Sequence, residues 1–324
     1  MLRKRGKIPT RDLSVRGPRS LTSMPRTIFS AMLAAAQAGR RRDRRGDRGL
    51  QDLQAEAVHT PPSYLRRVQS SVALLIGLAL FGALCLSWSV VALPLLLLPQ
   101  RWGRPWGRRG IQAGFGFFFR ALRVLGVSRS DVQALAALRE GPPVVLAPNH
   151  PALLDALLII AQEPRVACVL KSSLLSNVFL GAGARLARYI PNDPPRAMIR
   201  AAIAELERGG IVLLFPEGTR TACAPISALQ AGVGIIAKQA RVPVQTLIIE
   251  LDAPYGSKGS GLLRFSAVPF TYRMRLGRRF DPPADVRSFM VELDRYFRQT
   301  LPSAPQQQWL ERCESPAHPS ANVR

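Results

Sequence analysis

Residues 71–99 read SVALLIGLALFGALCLSWSVVALPLLLLP, a run of 29 positions without one charge. Elsewhere apolar and polar positions alternate on shorter periods, so this run stands apart. A helix needs about 20 apolar residues to cross a bilayer core, and the run is long enough. It begins too late and extends too far for a cleaved leader. Arg66 and Arg67 precede it, and Arg101, Arg104, Arg108 and Arg109 follow it. Positive flanks favour the cytoplasmic side, and here both flanks carry them. The pattern therefore favours a re-entrant or interfacial helical hairpin, broken near Gly82 or Pro94, over a single span. Residues 101–126 mix Trp, Arg and Phe, which suits a helix lying at lipid headgroup level.

From residue 127 the periods become those of a globular domain. Short apolar runs at 143–147, 166–170, 211–215 and 244–250 read as strands. Segments 151–162, 172–188, 195–208 and 232–241 read as the helices between them. In 195–208 the apolar residues Met198, Ile199, Ala202, Ile203 and Leu206 keep a 3.6-residue period, and Gly209–Gly210 ends it. Alternation of this kind predicts parallel strands joined by crossover helices. Phe270, Tyr272, Met274 and Leu276 alternate like a half-buried strand nearer an edge. Val286, Phe289, Met290, Leu293, Tyr296 and Phe297 form one face of a last helix. The expected fold class is α/β: a mostly parallel central sheet with crossover helices, preceded by an N-terminal membrane-associated helical segment. The expected divisions are a basic extension (1–67), membrane-associated helices (68–126), a catalytic domain (127–303) and a polar tail (304–324).

Composition narrows the partners. The 324 residues carry a net charge of +24, so partners are anionic. The first 67 residues hold 16 Lys/Arg against 5 Asp/Glu, including the solvated block RRRDRRGDR. A nucleic-acid-binding protein would use such charge but would leave the apolar run without a purpose, so no specific nucleic acid is expected and membrane lipids are. Cys85, Cys168, Cys223 and Cys313 have neither metal-ligand nor redox spacing. They read as reduced packing thiols, and no metal site is expected.

Of the three histidines, His59, His150 and His318, only His150 lies in structured surroundings. It sits in NHPALLD, directly after the 143–147 strand. Pro151 suits the first position of a helix, which makes His150 the expected cap at a strand-to-helix turn. In open parallel sheets such turns, at the carboxyl ends of strands, hold ligands. A helix amino terminus helps keep the imidazole neutral and able to accept a proton. Asp155 lies five residues on, too far for one face of an ideal helix. From a cap, however, the ring can fold back to it. A carboxylate on one ring nitrogen would orient the ring and stabilise its protonated form. No serine nucleophile accompanies the pair, so it suits activation of a hydroxyl on the substrate. FPEGTR, residues 215–220, follows the 211–215 strand and belongs at the same rim. Gly218 permits close backbone approach, and Thr219 and Arg220 are anion holders. Glu217 either orients an acceptor hydroxyl or holds Arg220.

With these two motifs the chain, over roughly residues 115–276, resembles the glycerolipid acyltransferase family typified by 1-acylglycerol-3-phosphate acyltransferase. Asn149, His150 and Asp155 match its N-H-x-x-x-x-D motif, and residues 215–220 match F-P-E-G-T-R without change. The resemblance implies that His150 is the general base with Asp155 as its partner. It also implies that Glu217, Gly218 and Arg220 bind a lyso-phospholipid acceptor, Arg220 near its phosphate, and that Lys171 assists. The implied donor is acyl-CoA or acyl carrier protein, with no other cofactor. The implied place is the inner (cytoplasmic) membrane, with the catalytic domain facing the cytoplasm. Three positions depart from the family pattern. Ala152 replaces a common serine, Pro191–Asn192 replaces an Asp-Arg pair, and Gln245–Thr246 follows Pro243–Val244 where many members have a later proline. The run CVLKSSL…ARYIPND also resembles a bacterial subgroup found beside aryl-polyene and polyketide synthesis genes. A membrane scaffold with an inactive domain of this fold is the rival that the intact motifs argue against.

Overall fold

The structure, a computed structural model, describes residues 64–222, 225–252 and 269–301, with side chains from Ser71 onward. The expected tail, nearly all of the basic extension, Cys223 and Cys313 lie outside them. Helix α1 (Tyr64–Leu95) opens inside the expected extension and runs unbroken past Gly82. It ends one residue after Pro94, and a turn carries the chain into α2 (Gln100–Val124). Of the two expected places the break falls at Pro94 and not at Gly82, because a single glycine costs a helix only about 1 kcal/mol. The hairpin that forms pairs α1 with residues 100–124 instead. Phe81 of α1 meets Phe115 and Phe118 of α2. Gly110 of α2 makes room for the Trp88 ring, which an added Cβ would strike. The stretch Ser71–Leu95 is the one helix among the described residues long and apolar enough to cross a membrane.

Seven strands follow: β1 (Ser128–Asp131), β2 (Val145–Pro148), β3 (Val166–Leu170), β4 (Ile190–Pro191), β5 (Ile211–Leu213), β6 (Val244–Leu251) and β7 (Phe270–Phe280). They form one sheet in the order β1-β7-β6-β2-β5-β3-β4. Every pairing is parallel except β6 with β7. The helices between and after them are α3 (Asp155–Ile160), α4 (Gly181–Leu186), α5 (Pro195–Glu207), α6 (Gly232–Ala240) and α7 (Val286–Thr300). Strand β7 lies near the edge, as its alternation suggests, with the four-residue β1 outside it. The expected helix 172–188 is interrupted: a short 3-10 turn (Ser172–Ser176) precedes α4.

The sheet is buried on both faces, as a parallel sheet flanked by helices requires. Successive β2 residues point to opposite layers. Leu146 joins Phe118, Phe119, Leu122 and Leu158 on the side of α2 and α3. Val145 and Ala147 join Ala202, Ile236, Phe289, Leu293 and Phe297 on the side of α5, α6 and α7. At Gly107 of α2 an added Cβ would stand 2.6 Å from the Ala187 nitrogen. The helical hairpin is thus packed backbone to backbone against the globular layer.

Candidate active site

Strands β2 and β5 are neighbours, but the chain leaves them on opposite faces of the sheet, through α3 in the layer of Leu146 after β2 and through α6 in the layer of Val145 after β5. That divergence opens a crevice beyond their carboxyl ends, where ligands of open α/β sheets bind. His150 follows β2 and residues 215–220 follow β5, so both motifs fall at this crevice. Thr221 N–H donates to the His150 carbonyl at 2.7 Å. His150 N–H donates to Glu217 Oε1 at 3.1 Å. The His150 ring stacks on Phe215 with centroids 3.8 Å apart.

The segment after β2 departs from the expectation in one respect. Pro151 does not open a helix and His150 is not a cap, because α3 begins only at Asp155. Residues 149–154 form a turn closed by Asp155, whose Oδ2 accepts from Ala152 N–H at 2.8 Å. This turn brings an i,i+5 pair together: His150 Nδ1 donates to the same Oδ2 at 2.8 Å. Asn149 holds the turn from the other side. Its amide donates to the Ile249 carbonyl at 2.9 Å and accepts from Ile249 N–H at 2.8 Å. The side chain thereby acts as one more peptide unit, extending the β2–β6 ladder past Pro148.

Asp155 is fully buried. Burial pushes its carboxyl above the usual carboxylate range, while the His150 ring, Ala152 N–H and the Tyr272 hydroxyl pull the other way. The carboxylate accepts only, so Nδ1 carries the proton and Nε2 keeps its lone pair. The ring itself lines a cavity of about 910 Å³. An oriented, acceptor-ready imidazole at the wall of a cavity is what general-base chemistry requires.

The remaining predicted residues divide. Gly218 (φ +67°), Thr219 and Lys171 are exposed and line the same cavity. Arg220 follows in the same loop, half-buried. Glu217 does not line the cavity. It is 3% exposed, and its carboxylate accepts from His150 N–H, the Thr221 hydroxyl and Ser227 N–H. Those contacts turn it inward, so it holds the two loops in register rather than facing an acceptor. Asn192 accepts from Ser172 N–H and its hydroxyl and also lines the cavity.

Away from the polar mouth the cavity is apolar. Leu74, Leu78 and Phe81 of α1 and Phe118 and Leu122 of α2 form part of its wall. A second hollow of about 150 Å³ shares Phe81, Phe118, Leu157 and Leu170 with it and extends to Trp88 and Tyr189. Together they run between the helical hairpin and the sheet. Among the described residues no group of His, Cys, Asp and Glu is arranged to hold a metal ion.

Sequence reasoning missed two contributors. Tyr272, on β7, is wholly buried and reaches Asp155. It was visible only as one member of an apolar stripe. Thr221 serves through contacts that no residue pattern announces. Asn149 was matched by its motif, but its bond to Ile249 was not foreseen.

Comparisons with known proteins bear on the fold and the family. Residues 128–250 match the family model described as Acyltransferase. The 1-acyl-sn-glycerol-3-phosphate acyltransferase beta of Homo sapiens is 28% identical over 177 residues, covering 52% of this chain and 62% of that protein. The chain therefore spans less than two thirds of that relative. The crystal structure of the 1-acyl-sn-glycerophosphate (LPA) acyltransferase PlsC from Thermotoga maritima is similar with a TM-score of 0.55 at 17% identity, over 73% of this chain and 95% of that one.

Proposed function

We propose that this chain, which belongs to the glycerolipid acyltransferase family, moves a fatty acyl group from an acyl thioester to a hydroxyl of a lyso-phospholipid. The observation that carries the reading is the His150–Asp155 pair at the polar end of a long apolar cavity. An acyl thioester is already activated, so the protein needs a base, correct placement and exclusion of water.

In this mechanism His150 Nε2 takes the proton of the acceptor hydroxyl as its oxygen attacks the thioester carbonyl carbon. Asp155 stabilises the imidazolium that forms. The tetrahedral intermediate collapses, the carbon–sulfur bond breaks, and the leaving thiolate takes the proton from His150. An ester forms, and free thiol is released. Such a base contributes typically about 10²–10⁴-fold, and positioning contributes more. Arg220 and Lys171 hold the acceptor phosphate, with Gly218 and Thr219 beside it. The acyl chain lies along Leu78, Phe81 and Phe118. The donor is acyl-CoA or acyl carrier protein. The apolar helix α1 seats the enzyme in the membrane, and its basic flanks favour a cytoplasmic face, in a bacterium the inner membrane.

The test is thiol release from acyl-CoA and from acyl carrier protein with a panel of lyso-lipids, 1-acylglycerol-3-phosphate included. Asn192 stands where the family arginine would meet phosphate, so the panel includes acceptors without a phosphomonoester. His150→Ala is expected to abolish turnover while circular dichroism and membrane flotation stay normal. Near-normal turnover in that variant rejects the base assignment. An acceptor KM unchanged in Arg220→Ala rejects its anchoring role.

A further inference from the structure

Arginines that the proposed mechanism leaves unused gather at the other end of the sheet. Arg165 directly precedes β3, and Gly209 and Gly210 directly precede β5. They mark the amino ends of these parallel strands, opposite the rim that carries His150. A cleft of about 320 Å³ opens there, lined by Arg101, Arg104, Arg108 and Arg109 of α2 together with Arg165 and Arg208.

Glu205 is the one carboxylate in that lining. Its two oxygens are taken by Arg104 at 2.8 Å and Arg108 at 2.7 Å. Arg108 is 7% exposed, donates through Nε to the Ala187 carbonyl, and keeps a buried Nη2 without a partner among the described residues. Arg101, Arg109 and Arg208 make no ion pair with any described residue. A fixed guanidinium with a spare N–H, beside three uncompensated ones, is suited to an oxyanion with several oxygens, and phosphate fits that fork.

The surroundings choose among phosphates. Trp102 and Trp106, on the same helix as four of the arginines, are 57% and 61% exposed. Leu97, in the turn just before that helix, is 89% exposed. Tryptophan beside arginine marks the level of lipid headgroups, and exposed leucine at a hairpin tip enters the acyl boundary. A soluble anion needs no exposed tryptophan or leucine on the same segment. We propose that this cleft binds the phosphate of an anionic membrane phospholipid, as a second lipid site separated from the catalytic cavity by the length of the strands.

The test uses the full chain and flotation with vesicles of phosphatidylcholine alone or mixed with phosphatidylglycerol. The triple variant Arg101→Gln, Arg109→Gln, Arg208→Gln changes only exposed side chains. Each arginine near an anionic surface strengthens binding about fivefold, so the variant is expected to bind the mixed vesicles about a hundredfold more weakly. A control variant, Arg273→Gln, Arg279→Gln, Arg287→Gln, removes the same charge from exposed positions on β7 and α7. It is expected to bind as the parent does. Equal loss in the two variants, or no loss in the first, overturns the site. Short-chain phosphatidylglycerol is expected to change the tryptophan fluorescence saturably, and the triple variant to lose that response. An equal response to inorganic phosphate overturns the lipid assignment. None of these readouts involves acyl transfer, so the site and the proposed activity fail or stand separately.

Discussion

Replacing Asp155 by asparagine removes one charge and almost no shape. Two N–H groups, from His150 Nδ1 and Ala152, converge on the same carboxylate oxygen. The asparagine oxygen takes that place, because the reverse orientation would set an amide donor against two donors. The turn, the ring orientation and the tautomer therefore survive, and only the stabilisation of the imidazolium is lost. With charge centres about 4 Å apart and an effective dielectric constant near 20, that loss is about 4 kcal/mol. The barrier rises by the same amount, which lowers turnover about a thousandfold. If the site were water-filled, the same charge would be worth about 1 kcal/mol, and the loss would be about fivefold. The assay is steady-state thiol release with the best acceptor of the panel, with thermal unfolding as the check on the fold. Because the interaction strengthens only as the ring gains its proton, kcat and kcat/KM are expected to fall together. A loss under about tenfold, with the fold intact, refutes the argument that burial of Asp155 drives the base. A rise in KM alone refutes it as well.

Glu217→Ala leaves His150 N–H, the Thr221 hydroxyl and Ser227 N–H without their acceptor, so unfolding stability is expected to fall by about 3–5 kcal/mol, measured by urea titration. A fall in acceptor affinity without a fall in stability would restore Glu217 to a place in the acceptor site. Glu205→Ala strands the buried Arg108 charge, and a loss of about 3–5 kcal/mol is expected in the same titration. A stability change below about 1 kcal/mol would show that the hairpin is not fixed to α5 by that pair. Cys168 is buried, and burial pushes its thiol up to about 12. Thiolate is the reactive form, so native Cys168 is expected to resist iodoacetamide near neutral pH and to react on unfolding. Fast labelling of the folded protein would contradict its burial.

The main strands were legible because a strand buried on both faces reads as an unbroken apolar run. Segment 166–170 coincides with β3, and 244–250 falls one residue short of β6. Helix α5 was legible because its burial is one-sided and therefore periodic. Strands β1 and β4, with four and two residues, are too short to carry a period. Strand β7, second in the sheet, was legible as nearer an edge because its buried residues alternate with exposed ones, while the β1 beyond it went unseen. At the site, residue types announced the chemistry while their contacts stayed hidden. Pro151 suggested a helix start, yet Asp155 spends its carboxylate on Ala152 N–H and holds the chain in a turn.

The placement of the two motifs follows from chain direction rather than from either motif. A histidine after β2 and a glycine-arginine loop after β5 become neighbours because those strands are parallel and adjacent. Their outgoing helices, α3 and α6, also lie on opposite faces of the sheet, which leaves the carboxyl ends of the two strands open to a ligand. The same directionality gives the opposite rim to the residues that precede β3 and β5, and there Arg165 and Arg208 meet the arginines of α2. A polar mouth for the acyl-transfer chemistry and a cationic cleft for anionic lipid thus sit at the two ends of one set of strands. The apolar hairpin runs between them, with Leu78 and Phe118 at the first and Arg104 and Arg108 at the second.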